Sequence, residues 1–147
     1  VLLIREVINN GSALNKFKQM CVSQGVNERM AQTLIDNPHE VLSPSKLQTP
    51  IKATTSGYLT EIDAMALAEV ARSHGAGRFA ISDLIIPEIG FEILPSKGDY
   101  ISAGEVWLVF HHNADITDVT YNKLVNSLIV SDEPVDNISR LIRVIDG

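Results

Sequence analysis

His111 and His112 are adjacent, and imidazole is the side chain best suited to metal ligation or proton transfer near neutral pH. They close a run that reads as a strand, where neighbouring side chains point to opposite faces. Two such rings do not converge on one metal, so the pair reads as one partly buried and one exposed histidine. His39 and His74 are distant in sequence, and no H-x-x-x-H, C-x-x-C or H-E-x-x-H spacing occurs. Gly75-Ala76-Gly77-Arg78 joins two glycines to a guanidinium, as an anion-binding loop would. Phosphate loops, however, set their glycines before a helix, where free N–H groups meet the anion; these glycines follow one, where carbonyls point outward. A helix stop and a turn at positive φ are the reading favoured here, with Arg78 pairing with a carboxylate or with those carbonyls. No G-x-S-x-G elbow frames any serine, and Glu61, Asp63, Asp132 and Glu133 lie at element ends, where carboxylates cap and solvate. The single cysteine, Cys21, excludes an intrachain disulfide and a multi-thiolate zinc site, and on an apolar helix face it reads as a small buried hydrophobe. The expectation is therefore no catalytic, metal-ligating or cofactor-binding residue in this chain.

The elements that would position these residues divide the chain. Val1 to Ile8 reads as the end of a helix that begins elsewhere, closed by Asn9-Asn10-Gly11, which suggests a fragment. Ser12 offers an N-cap to a helix carrying Leu14, Phe17 and Cys21, ended by Gly25. Asn27 caps a third, with Met30, Ala31, Leu34 and Ile35 as its apolar stripe, stopped at Asn37-Pro38. The proline-rich stretch His39 to Pro50 is the expected boundary, giving a helical segment over 1–50 and a second domain over 51–147. In the second, Lys52 to Ile62 reads as one strand bent at Gly57, and Asp63 caps a helix reaching about Ser73 with Gly75 as its stop. Asp83 to Ile93, Ser102 to His112 and Ile138 to Ile145 read as further strands, and Asp115 to Val130 as a helix with Tyr121, Leu124, Val125 and Leu128 on one face. The order β-α-β-β-α-β makes the fold class α+β.

The chain has 147 residues, 45% of them hydrophobic, with a net charge of −6. That profile fits a globular domain and argues against nucleic acid or anionic lipid as a partner. Val-Leu-Leu-Ile at the start is too short for a signal or membrane segment, and the cysteine usage suits reducing surroundings, so no membrane and a cytoplasmic location are expected.

One stretch is more specific. Ile89-Gly90-Phe91-Glu92-Ile93 leads through Lys97-Gly98-Asp99-Tyr100-Ile101 to Ala103-Gly104-Glu105-Val106-Trp107-Leu108. Two apolar strands separated by a G-D turn and a G-E turn resemble the half-barrel of lipoyl and biotinyl carrier domains. The following Phe110-His111-His112-Asn113 lacks the Met-Lys-Met tip of a carrier. A stand-alone carrier-like module, with Lys97 as the lysine to be modified, and a self-associating interaction domain stay as alternatives.

Taken in order, Ser56-Gly57-Tyr58, Ile62-Asp63, Gly75-Ala76-Gly77-Arg78, Asp83, Gly90, Lys97-Gly98-Asp99 and Gly104-Glu105 resemble the C-terminal part of pyrimidine-nucleoside and thymidine phosphorylases. Asn10-Gly11-Ser12-Ala13-Leu14 to Phe17 and Gln24-Gly25 are similar to the helix those enzymes place before that domain. The resemblance implies an α+β domain with a barrel-sandwich-like element, preceded over residues 1–50 by the end of the central α/β domain. It also implies a parent enzyme, possible as a homodimer, that transfers a pentosyl group reversibly from a pyrimidine nucleoside to phosphate, its co-substrate. In that family the phosphate site and the Arg, Ser and Lys cluster holding the base lie upstream of these residues. No catalytic residue carries over, the N-terminal lobe becomes the expected partner, and the chain alone is expected to be inactive. Gly57, Gly75, Gly77, Arg78, Gly90, Gly98, Asp99 and Gly104 are expected to shape turns.

Overall fold

The structure is a computed structural model and describes residues 2–135. The chain divides into two compact units, one ending at Pro44 and one beginning at Ser45. The division falls inside the proline-rich stretch, ahead of residue 51.

The first unit is helical: α1 (Leu2–Asn9), α2 (Ser12–Ser23), α3 (Glu28–Asp36) and the single turn α4 (Pro38–Val41). Ser12 is the first residue of α2 rather than its cap. Gly11 takes the cap position at φ 76, a left-handed conformation, while the Asn10 side chain accepts from the Ser12 N–H at 2.9 Å. Asn27 caps α3 as its sequence suggests, accepting from the Met30 N–H at 2.8 Å. Ala31 is the one buried apolar residue described in this unit; Leu14, Phe17 and Met30 are exposed and Cys21 is half-buried.

The second unit holds two three-stranded antiparallel sheets. Its strands are β1 (Leu47–Lys52), β2 (Gly57–Ile62), β3 (Gly90–Ile93), β4 (Tyr100–Ile101), β5 (Val106–His112) and β6 (Leu128–Ser131), with α5 (Ala64–Ala71) after β2 and α6 (Asp118–Val125) before β6. One sheet has the order β1-β5-β3 and the other β4-β2-β6, so odd and even strands segregate and each successive strand enters the other sheet. The chain is α+β, as its element order indicates.

Four expected elements differ. The strand read over Lys52 to Ile62 is two strands in separate sheets. β1 starts at Leu47 and contains Pro50, which a sheet tolerates here because β1 is an edge strand. The run from Asp83 is strand only from Gly90; residues before it form turns, because the Asp83 carboxylate accepts from the Phe79 and Ala80 N–H groups, both at 2.8 Å. The run from Ser102 is a turn followed by β5. The last helix covers only Asp118–Val125; Thr117 caps it, and Leu128 lies on β6, paired with Ile62. The strand read over Ile138 to Ile145 lies outside the described residues.

The core is built from Ile51, Leu59, Ile101, Trp107, Leu108 and Phe110 of the sheets with Leu67, Val70 and Leu124 of α5 and α6. Phe110 stacks on Phe91 and on His112, each at 4.8 Å between ring centroids, and meets the edge of His74 at 5.1 Å.

Candidate functional site

Asp63 caps α5, its carboxylate accepting from the Ala66 N–H at 2.9 Å. The helix then widens into a looser turn over Arg72–Ala76, and Gly75, at φ 107, ends it. A Cβ there would stand 2.7 Å from Ile86 Cδ1, so Gly75 meets both a conformational and a steric demand. Gly77 is extended, and its absent Cβ faces Arg72 Cγ at 3.1 Å. Arg72, not Arg78, organises the loop: its Nε donates to the Arg78 carbonyl at 3.0 Å and its guanidinium lies 4.0 Å from the centre of the Phe79 ring. The Arg78 side chain forms no ion pair among the described residues. Hydrogen bonds from the Ala80 and Phe79 backbone hold the exposed Asp83 carboxyl below its usual value, with Arg72 adding to the effect. The loop so fixed presents Phe79, Ile81 and Leu84 to solvent, Ile81 at 95% exposure.

The half-barrel carries two turns of one design, Ser96-Lys97-Gly98-Asp99 and Ser102-Ala103-Gly104-Glu105. In each, the acid's N–H donates to the serine carbonyl at 3.0 Å, the glycine has positive φ (92 and 86), and the carboxylate accepts from the serine N–H, at 2.7 Å for Asp99 and 2.8 Å for Glu105. Lys97 is exposed on the first turn. Gly57 opens β2, where a Cβ would meet the Ser131 carbonyl oxygen at 2.8 Å; Gly90 opens β3 with open space around it.

His111 and His112 do face opposite ways. His112 is 2% exposed, its Nδ1 donates to the Ala114 carbonyl at 2.7 Å, and its Nε2 lies 2.8 Å from the Thr49 hydroxyl. His111 Nδ1 is 3.4 Å from Ser45 Oγ and its Nε2 is 4.0 Å from Glu92. This Ser-His-Glu grouping, which no sequence spacing signals, runs against nucleophilic use: the Ser45 hydroxyl already donates to the Leu47 carbonyl at 3.0 Å, so it accepts from His111 instead of yielding a proton to it. Among the described residues no three His, Cys, Asp or Glu side chains form a group able to hold a metal. Nor is any described helix long and apolar enough to cross a membrane.

Residues 58–131, which run from β2 through both turns to the end of β6, match the family model described as the pyrimidine nucleoside phosphorylase C-terminal domain. The chain belongs to this family. It is 35% identical over 133 residues to the pyrimidine-nucleoside phosphorylase of Staphylococcus aureus strain USA300, and likewise 35% identical over 133 residues to that of strain bovine RF122 / ET3-1. Each alignment covers 90% of this chain and 30% of the relative. The chain thus spans under a third of the length of the curated relatives it matches.

Proposed function

We propose that this chain acts as the C-terminal part of an enzyme catalysing reversible phosphorolysis of pyrimidine nucleosides, giving free base and pentose 1-phosphate. The observation that carries the reading is the alignment, over 90% of the chain, with less than a third of each phosphorylase. Phosphorolysis passes through an oxocarbenium-like transition state, and it requires groups that hold anionic phosphate beneath C1 and others that stabilise charge on the departing base. The described residues bring no such groups together; their polar side chains cap helices and close turns. Residues 1–50 then complete the central α/β domain of the longer enzyme, and residues 51–147 form a scaffold with no cofactor of its own. Phosphate and the nucleoside bind through the N-terminal lobe of the same enzyme, a cytoplasmic homodimer. The exposed Phe79, Ile81 and Leu84 support a covering contact with that lobe.

The test is a pair of assays of base release from uridine and thymidine in the presence of phosphate. The 147-residue chain alone is expected to be inactive, and a chimera in which it replaces the matching segment of the Staphylococcus aureus enzyme is expected to be active. Phosphorolysis by the chain alone would refute the division of labour, and a folded but inert chimera would refute the role. A lysyl adduct on Lys97, seen as added intact mass, would instead identify a carrier module.

A further inference from the structure

A cleft of about 460 Å3 opens beside the two matched turns, lined by Leu94, Ile101, Tyr100 and Trp107 together with Asp99 and Glu105. Three observations give it a chemistry. Trp107 is 1% exposed, yet its indole Nε1 has no hydrogen-bond partner among the described residues. Buried donors are nearly always paired, so an orphaned N–H in the wall of a cleft calls for an acceptor supplied from outside. Next, Asp99 and Glu105 each commit one oxygen to the N–H of their own turn, and that bond fixes the side chain. The second oxygen of each accepts no hydrogen bond from a described residue, and no lysine, arginine or histidine lines the cleft to balance the two charges. Finally, the half-exposed Tyr100 ring is braced edge-on by Tyr58, with centroids 5.1 Å apart, and so offers a fixed aromatic surface beside the carboxylates.

We propose that this cleft binds a small organic ammonium compound that also carries an oxygen acceptor and an apolar or aryl body. The ammonium is held by Asp99 and Glu105 and lies against Tyr100, where cation–π attraction adds to the charge pairing. The oxygen accepts from Trp107 Nε1, and the body rests on Leu94 and Ile101. An inorganic cation would leave the indole N–H unanswered, and a neutral ligand would leave two carboxylates uncompensated. The site is separate from the phosphorolysis chemistry and stands whether or not that reading holds.

Trp107 is the only tryptophan in the chain, so its fluorescence reports directly on the cleft. Three probes separate the contacts: 2-amino-1-phenylethanol carries both groups, 2-phenylethylamine lacks the hydroxyl, and 2-phenylethanol lacks the amine. The full-length chain is expected to give a saturable response to the first probe, with each of the others binding at least about 5-fold more weakly, as loss of one net hydrogen bond or ion pair implies. The double variant Asp99→Asn, Glu105→Gln keeps an oxygen for each turn and removes both charges. It is expected to weaken 2-amino-1-phenylethanol about 10-fold or more while leaving 2-phenylethanol unchanged. No saturable response up to about 20 mM, equal binding of the three probes, or an unchanged amine affinity in a folded double variant would each overturn the assignment. Should that variant misfold, the probe series on the unaltered chain decides.

Discussion

Replacing Gly75 by alanine separates two demands that the loop after α5 makes on a single residue. At φ 107 an L residue is strained by about 1–2 kcal/mol. The new methyl would also lie 2.7 Å from Ile86 Cδ1 and 3.0 Å from its Cγ1, an overpacking worth about 1–3 kcal/mol. Retreat of Ile86 is hindered, since its N–H donates to the Gly75 carbonyl at 2.8 Å and its side chain packs on the core. The sum, about 2–5 kcal/mol, can be resolved by a control in the same unit. Gly104 has φ 86 but nothing within 4 Å of its virtual Cβ, so Gly104→Ala carries conformational strain alone, about 1–2 kcal/mol. Ile86→Val removes the colliding Cδ1. By itself it costs about 0.5–1.5 kcal/mol, but in the Gly75→Ala background it should restore about 1–2 kcal/mol. Urea unfolding of the four proteins and the double variant, followed by circular dichroism, measures all the terms. If Gly75→Ala is no less stable than Gly104→Ala, or if Ile86→Val is additive with it, the steric half of the account is wrong.

Thr49→Val should cost about 1–3 kcal/mol in thermal or urea unfolding, because it leaves the buried His112 Nε2 without its 2.8 Å partner at nearly constant volume. Gly57→Ala should destabilise by about 1–3 kcal/mol, since its Cβ would press on the Ser131 carbonyl of the neighbouring strand, whereas Gly90→Ala, with open space around it, should change stability by less than about 0.5 kcal/mol. Because the folded Asp83 pKa lies below its unfolded value, its loop contacts are fully present above the ordinary carboxylate range and are lost as pH falls through the folded value. The Phe79 and Ala80 amide resonances should therefore titrate with a midpoint below about 3.9, and Asp83→Asn should abolish that titration.

What the sequence revealed followed the reach of the interaction responsible. The Asn27 and Asp63 caps and the Gly75 stop act within one helical turn and were legible from residue type alone. Pro50 was misleading because only the sheet order shows β1 to be an edge strand, where a missing N–H is harmless. Tyr121, Leu124, Val125 and Leu128 satisfy a helical spacing, yet the pairing of Leu128 with Ile62, 66 residues earlier, prevails over it. The apolar run at Ile81 to Ile86 carries no periodic signal to separate a strand from an exposed loop; the deciding bonds belong to the Asp83 side chain. The cleft at Trp107 was hidden for a similar reason, since an unpaired indole N–H becomes visible only once its surroundings are assembled.

The segregation of odd and even strands bears on how the polypeptide acquires its shape during synthesis. β1 and β3 are the two margins of one sheet, and both must wait for β5, the central strand that joins them. Leu47 meets His112 and Gly90 meets His111, so nothing of that sheet can assemble while residues 106–112 remain inside the ribosome. The other sheet starts from its centre, β2, but gains its second flank only when Ser131 emerges. Such interleaving lengthens the loops that must close and slows folding into the millisecond-to-second range. It also leaves no hairpin that a protease or a premature stop could spare, so a nascent chain halted before β5 exposes unpaired apolar strands and depends on chaperones.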